Sequence, residues 1–422
     1  MTEPAAAGPP SRPLGGVTVV GRSYDPGLDG RHAPATQWIA WERSGRVAPA
    51  PLGWDLWERP EPALDRAAAT GAAVCALSVE WARVEPAPGV VDAAAMDRYA
   101  AILAMCAERG MAPVVALYDL AHPSWMGEEL WLTPGAPDRF ADHVARVVSR
   151  LGEGCTRWIT LRQANAVALG GWIAGRQPPG RTGALSDAWA VVDNLLAGHV
   201  LAYRAIHELQ PGADVAIGAR VSPCYDWHRL LVDLLCCRSL GVERGALDAW
   251  TDERRALHDV AVPPGGVAPL LGRRLLAALC PYGTGAAAPA GVVTAALRRR
   301  SPRRVVELVY DGDGGRPVDS LLAGWEPPIG TGPGGTLPTW PPRPARRRRA
   351  EPASYAPGSR AGSLAQWCRD QAAFTPALPV WVEVPPGPGT GPPAAPCALD
   401  DVTECSGVLV PLGAAGGRPA PG

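Results

Sequence analysis

The chain has 422 residues, 40 basic and 41 acidic side chains, and a formal net charge of −1 with histidine neutral. This balance argues against the basic surface of a nucleic-acid-binding protein, and no apolar run reaches the ~18 residues that a membrane span requires. Every basic residue is arginine, and alanine, glycine and proline abound. That composition indicates a bacterial gene of high GC content.

The N-terminal segment MTEPAAAGPPSRPLGG lacks the basic and apolar regions of a secretory signal peptide. The ten cysteines form no CxxC pair of the kind that holds zinc. We therefore expect reduced, buried thiols in a cytoplasmic protein, with no metal and no organic cofactor. The sequence does not predict the oligomeric state.

Apolar runs typical of buried strands alternate with longer helical patterns. The predicted strands, in chain order, are residues 16–20, 72–79, 112–120, 156–161, 213–221, 304–310, 377–384 and 405–412. Amphipathic helices are predicted over residues 92–110, 137–152 and 185–210. Continuous apolar strands joined by crossover helices favour a parallel sheet that is covered on both faces.

Eight such units predict an α/β protein of the (β/α)8 TIM-barrel class, with one domain over residues 1–422. In that architecture the ligand site lies at the carboxyl ends of the strands. The alternative is an open, doubly wound sheet, but no GxGxxG motif follows the first strand.

Two segments break the alternation. Residues 311–362 are rich in glycine, proline and arginine, and we interpret them as a flexible insertion between strands six and seven. The arginine run at residues 346–349 is read as a solvated loop rather than a nucleic-acid arm. Residues 413–422 have the composition of a disordered tail.

Several segments in the correct order resemble glycoside hydrolase family 1, the retaining β-glucosidase family. They are ALSVEWARVEPAPG, the helix and strand through APVVALYDLAHPSW, the strand TRWITL, the loop GWIAGRQPPG and the helix before ADVAIGA. The resemblance is strongest from Trp54 to Val221 and returns in SLAQWCRDQAAFTPALPVWVEV. It implies a TIM barrel that binds a glycoside or another small molecule.

The resemblance fails at the positions that carry the family's chemistry. The acid/base glutamate of the family falls on Gln163, and ungapped spacing from Pro379 puts the nucleophile's place on Val384. Glu383 then lies one place too early, on the opposite face of the strand. The arginine that holds the nucleophile falls on Ala76, and a sugar-binding His-Trp pair falls on Asp119-Leu120.

A further position of the family is also not retained, because the glutamine that the family carries after its first strand falls at about Ser23. We therefore regard Glu383, Gln163 and Asp119 as the catalytic candidates. The ligand-binding candidates are Arg162, Asn165, His122, Trp125 and Glu80. Trp131 and Trp172 join Trp125 as possible stacking platforms, and Arg162 is expected to pair with a mouth carboxylate or an anionic ligand.

Four hypotheses remain open, the last of them an interaction protein that uses the arginine-rich insertion. The leading one is a barrel that has lost glycoside hydrolysis and binds a glycoside or another small molecule in the old pocket. A second is a repurposed biosynthetic enzyme that performs acid/base chemistry on a non-sugar substrate. A third is an active β-glycosidase in which Glu383 is a displaced nucleophile.

Overall fold

A computed structural model describes residues 14–18, 34–46, 56–220, 225–261, 302–324, 378–383 and 407–411. Eight strands form a closed barrel in sequence order, and every neighbouring pair is parallel. The strands are β1 (Leu14–Thr18), β2 (Val74–Ser78), β3 (Ala112–Ala116), β4 (Arg157–Ile159), β5 (Asp214–Arg220), β6 (Ser320–Gly324), β7 (Val380–Glu383) and β8 (Gly407–Pro411). The barrel prediction is confirmed, and the open-sheet alternative is excluded.

The helices pack around this barrel. They are α1 (Gln37–Arg43), α2 (Pro60–Ala68), α3 (Trp81–Val84), α4 (Ala93–Glu108), α5 (Ala136–Leu151), α6 (Ala164–Ala168), α7 (Leu185–Leu209), α8 (Arg229–Cys236), α9 (Leu247–Ala261) and α10 (Arg304–Asp311). A short π-helical turn, Leu169–Ile173, continues α6.

Local sequence explains where the main helices begin and which face they bury. Asp92 caps α4 by accepting a hydrogen bond from the backbone N–H of Ala95, and Gly110 follows the helix at φ 75°. In α5 the buried residues Phe140, Val144 and Val148 recur at helical spacing, so one face packs inward.

Two apolar cores lie on opposite faces of the sheet. Alternate strand residues fill the barrel interior: Val74, Ala76, Val114, Ala116, Ile159, Ala216 and Leu322. The intervening residues, such as Cys75, Val115 and Trp158, join the larger core between strands and helices. Alanine is frequent among the interior residues, so the interior is built from unusually small side chains for a barrel.

Helix α7 anchors the segment that leads into β6. His199 Nε2 lies 2.7 Å from the Pro317 carbonyl, and Tyr203 Oη donates to Asp319 Oδ1 at 2.9 Å. Asp193 accepts hydrogen bonds from the first backbone N–H groups of α10, including that of Val305 at 2.9 Å. The start of β6 is thus held by a helix more than a hundred residues earlier.

The prediction of the sixth strand is wrong. Residues 304–310, RVVELVY, form α10, because Val305 and Val309 are buried one helical turn apart. The sixth strand is Ser320–Gly324, within the stretch predicted as an insertion. Residues 325–377 lie outside the described residues, so an insertion there stays a prediction, as does the tail at 413–422.

Candidate active site

The carboxyl ends of β2, β3 and β4 bring three polar side chains together. Arg162 Nη1 donates to Asp119 Oδ2 at 3.1 Å, and Ser78 Oγ lies 3.5 Å from the same oxygen. The side chains of Arg162 and Asp119 are only 7% and 8% exposed. The prediction that Arg162 pairs with a mouth carboxylate is confirmed, and Asp119 is that carboxylate.

Backbone contacts between neighbouring strands hold Arg162 in place. Its N–H donates to the Tyr118 carbonyl at 3.0 Å, and the Leu161 carbonyl accepts from Gly218 N at 2.6 Å. A Cβ on Gly218 would lie 2.1 Å from the Arg162 carbonyl oxygen. Only glycine allows β5 to approach the end of β4 this closely.

The pair has a clear electrostatic consequence. Two charges removed from water are stable only when they neutralise each other, and loss of either partner leaves an uncompensated buried charge. The guanidinium therefore fixes Asp119 as a carboxylate at the mouth. An ionised carboxylate accepts hydrogen bonds from hydroxyl or ammonium groups, which is the chemistry that a sugar or an amine offers.

The two predicted amides have different surroundings. Gln163 is partly exposed directly before α6, and its carbonyl accepts from Ala166 N at 3.0 Å. Asn165 is fully buried, and its Nδ2 donates to the Trp227 carbonyl at 2.6 Å. Asn165 therefore ties α6 to the segment after β5, whereas Gln163 lies beside the Arg162–Asp119 pair in sequence and is accessible.

His122 is buried and hydrogen-bonded to the loop that follows Asp119. Its Nε2 donates to the Gly127 carbonyl at 2.8 Å, and its Nδ1 lies 3.4 Å from the Tyr118 hydroxyl. Burial lowers the pKa of His122 to about 4, so the ring is neutral near pH 7. It supports the loop that follows Asp119.

The tryptophans proposed as stacking platforms are mainly packing residues. Trp131 and Trp172 are each 1% exposed, and Trp131 packs edge-on against Tyr118 and Phe140. Trp125 is partly exposed, and its indole N–H donates to the Glu85 carbonyl at 3.1 Å. Among these three, only Trp125 offers surface to a ligand.

Glu80 belongs to a different cluster. Its carboxylate forms a 2.6 Å ion pair with Arg83, whose guanidinium lies 4.2 Å from the ring centroid of Trp57. The Glu80 backbone N–H donates to Tyr99 Oη on α4. These contacts join the start of α3 to the surrounding helices, and they do not bring Glu80 to Asp119.

The register of β7 places Glu383 at the carboxyl end of that strand, opposite Gly324 of β6. Val380 pairs with Leu321, and both belong to the helix-facing core. Leu322, an interior residue, pairs with position 381, and Gly324 pairs with Glu383 at the carboxyl end of the strand. The face of β7 on which the Glu383 side chain lies stays a prediction, and Val384 lies outside the described residues.

Sequence reasoning missed a second charged cluster, after β5. Asp233 accepts two hydrogen bonds from Arg254, at 2.6 and 2.7 Å, and one from Tyr225 Oη at 2.7 Å. Asp226 accepts from Arg255 at 2.9 Å. The cluster fixes α9 against the segment that Asn165 contacts. Its hydrogen bonds join residues up to 29 positions apart, so no local motif signals them.

Gln37 in α1 was also missed. It contacts the backbone on both sides of Ala121, 83 and 85 residues later in the chain. No local sequence pattern signals such a contact.

Within the described parts of the chain, no group of three His, Cys, Asp or Glu side chains is arranged to hold a metal ion. The same residues contain no helix that is both long and apolar enough to cross a bilayer.

Comparisons with known proteins agree with this architecture. Residues 45–229 match the model of Glycosyl hydrolase family 1. Beta-glucosidase 6 of Oryza sativa subsp. japonica is 28% identical over 148 residues, which are 34% of this chain and 28% of that protein. The 6-phospho-beta-galactosidase 1 of Streptococcus pneumoniae is 29% identical over 157 residues, 37% of this chain and 33% of that protein.

The aligned parts therefore span about a third of the length of these curated relatives. Among solved structures, a family 1 β-glucosidase from Thermotoga maritima superposes with a TM-score of 0.61 at 18% identity, covering 95% of this chain and 88% of that one. That likeness shows the fold. The matching family model and the aligned relatives show that residues 45–229 belong to glycosyl hydrolase family 1.

Proposed function

We propose that this barrel binds a glycoside or another small polar molecule at the carboxyl ends of its strands and does not hydrolyse simple β-glucosides. The observation that carries this proposal is the buried Arg162–Asp119 ion pair at the mouth, next to Gln163 at the acid/base place of the family. The mouth is thus polar and charged, but the residue expected to pass a proton is an amide.

Retaining hydrolysis needs two carboxyl groups ~5–5.5 Å apart, one to attack the anomeric carbon and one to protonate the leaving oxygen. Gln163 does not ionise near neutral pH, so it cannot protonate a sugar alcohol as it leaves. Asp119 does not fill this role, because its Oδ2 accepts from Arg162. The same contact gives no support to Asp119 as the free base of a repurposed enzyme.

The test is direct. Purified protein should release nitrophenol from nitrophenyl β-glucoside and β-galactoside no faster than a heat-killed sample. Binding of a non-hydrolysable thioglucoside, measured by calorimetry, should be lost in the Arg162→Met/Asp119→Leu variant and kept in the surface variant Arg181→Gln. Robust hydrolysis would overturn the proposal.

A second candidate function is supported by the place of Glu383 at the carboxyl end of β7. If Glu383 acts as the nucleophile, the protein would form a glycosyl-enzyme with substrates whose leaving group needs no protonation. Position 163 offers no ionisable side chain to activate water, so hydrolysis of this glycosyl-enzyme would be slow.

Dinitrophenyl glycosides separate the two functions. The binding function predicts no burst of dinitrophenolate and no covalent adduct by mass spectrometry. The nucleophile function predicts one equivalent of phenolate and one sugar adduct per chain, both absent in Glu383→Gln. In that case Gln163→Glu should speed turnover of the adduct.

A further inference from the structure

Leu120, immediately after Asp119, has an unusual backbone. Its φ is 68°, and it is the one non-glycine residue with positive φ in the described parts of the chain. The N–H of Ala121 donates to the Asp119 carbonyl at 2.9 Å, which closes a three-residue γ-turn around Leu120. A γ-turn with positive φ is rare and strained for an L-residue with a side chain.

Such a turn persists only if its surroundings enforce it, and the Gln37 side chain does so. Gln37 Nε2 donates to the Leu120 carbonyl at 2.9 Å, and its Oε1 accepts from His122 N at 2.8 Å. Gln37 is 4% exposed. One amide thereby bridges the two peptide groups that flank Ala121.

The chain around Gln37 is itself held against the same loop. Its backbone N–H donates to the His122 carbonyl at 3.3 Å, and Ser124 N donates to the Ala35 carbonyl at 2.7 Å. Thr36 caps α1 through a 3.1 Å bond to Ile39 N, which orients the first turn of the helix. The amide is therefore presented by a fixed helix end.

The γ-turn begins at Asp119, the residue that pairs with Arg162. Asp119 stands at the start of the γ-turn, and its carboxylate lies 3.1 Å from Arg162 Nη1. A relaxed backbone at Leu120 would rotate the peptide that follows Asp119 and alter the approach of this side chain to Arg162. We propose that Gln37 is the positioning residue of the mouth, which holds Asp119 on Arg162 by locking the γ-turn at Leu120.

The proposal predicts a specific coupling between two positions. Gln37→Leu should lower the melting temperature by several degrees, because it removes both hydrogen bonds. Glycine adopts positive φ without strain, so Leu120→Gly makes the turn independent of the clamp. In the Leu120→Gly background, Gln37→Leu should therefore lower the melting temperature by at most half as many degrees. An equal cost in both backgrounds would show that Gln37 is only a packing residue.

Gln210 provides a matched control. This partly buried amide also bridges distant groups, donating to the Gly152 carbonyl at 2.8 Å and accepting from Trp158 Nε1 at 2.8 Å. Gln210→Leu should destabilise the protein by a similar amount in either background at position 120. If Leu120→Gly rescued Gln210→Leu as well, the coupling would be non-specific and the proposal would fail.

A crystal structure of Gln37→Leu tests the positioning step without any ligand. We expect φ of residue 120 to become negative and Asp119 to leave Arg162, whereas an unchanged turn and ion pair would overturn the proposal. The binding arm rests on the proposed function. If the wild-type protein binds the thioglucoside, Gln37→Leu should weaken that binding at least tenfold, and Leu120→Gly should restore part of it. Failure of the wild type to bind contradicts the proposed function, while the melting and crystallographic outcomes still decide the role of Gln37.

Discussion

Thr160 and Arg162 stand two residues apart at the end of β4 and enter two different polar networks. On the helix side, Thr160 Oγ1 lies 2.7 Å from His199 Nδ1, and His199 donates onward to Pro317. On the mouth side, Arg162 pairs with Asp119, which Ser78 approaches to 3.5 Å. The first network is neutral and links three structural elements, so packing the barrel explains it. The second concentrates opposite charges next in sequence to the partly exposed Gln163, and it is the one on which the proposed binding function rests.

The largest effect should come from breaking the charged network. Arg162→Met should lower the free energy of unfolding by about 3–5 kcal/mol, because it strands Asp119 without a countercharge. The double variant Arg162→Met/Asp119→Leu should regain most of that loss. Urea unfolding measures both. The exposed pair Arg181–Asp187 is the control, since Arg181→Gln should change stability by less than about 1 kcal/mol. A double variant as unstable as the single one would contradict a charge-based origin.

The neutral network of Thr160 and His199 should make the free energy of unfolding fall in acid. Burial lowers the pKa of His199 to about 4 from its ordinary 6.5, so the unfolded chain binds more protons between these values. The stability from neutral His199 is complete above pH 6.5 and is lost as the pH falls towards 4, by about 3 kcal/mol in all. His199→Gln should flatten the dependence of unfolding free energy on pH in this window.

His122 on the mouth side has the same pKa, about 4, for the same reason, and burial lowers the pKa of His143 to about 3. A wild-type protein equally stable at pH 7 and pH 4 would contradict the neutral burial of all three rings. If His199→Gln left the pH dependence of the unfolding free energy unchanged, His199 would not contribute to the loss of stability in acid.

Gly218 in β5 lies against the backbone of Leu161 and Arg162, just past the end of β4. An added methyl group there should disturb the mouth. Gly218→Ala should cost about 1–3 kcal/mol, because its Cβ would lie 2.1 Å from the Arg162 carbonyl oxygen. Gly212→Ala is the control, since that Cβ would meet no atom within 4 Å. Thermal unfolding of the two variants measures the difference, and equal melting temperatures would show that β4 and β5 separate easily.

The smallest effect should come from removing one hydroxyl from each network, that of Ser78 or that of Thr160. Ser78→Ala loses a contact of 3.5 Å and should cost well under ~1 kcal/mol, whereas Thr160→Val loses a 2.7 Å bond to a buried ring and should cost about 1–3 kcal/mol. Chemical denaturation under one set of conditions ranks them. The reverse order would mean that the mouth network carries more of the fold than its geometry indicates.

Periodicity predicted most of the barrel because strand alternation and helical spacing are local properties. It misassigned RVVELVY, whose β-branched residues favour a strand, since the burial of Val305 and Val309 against other elements decided for a helix. The true β6, SLLAG, has no β-branched residue and follows a glycine-rich stretch, so it gave no strand signal.

The candidate site was predicted only in part. The pairing of Arg162 with a carboxylate was one of two alternatives that the sequence left open, because the ends of neighbouring strands bring opposite charges close together. Gln37 was not predicted, since its partners lie 83 and 85 residues later in the chain. The role of Glu383 stays a prediction, because ungapped spacing carries no information on which side of the sheet a residue lies.

Helix α7 has a consequence for how the chain is assembled. Asp193, His199 and Tyr203 hold α10 and the start of β6 through contacts that do not depend on the covalent link between Ala261 and Pro302. Two pieces of the chain, divided between Ala261 and Pro302, would therefore each carry one side of these contacts. Mixing two such pieces tests whether α7 can serve as the surface on which α10 and β6 assemble.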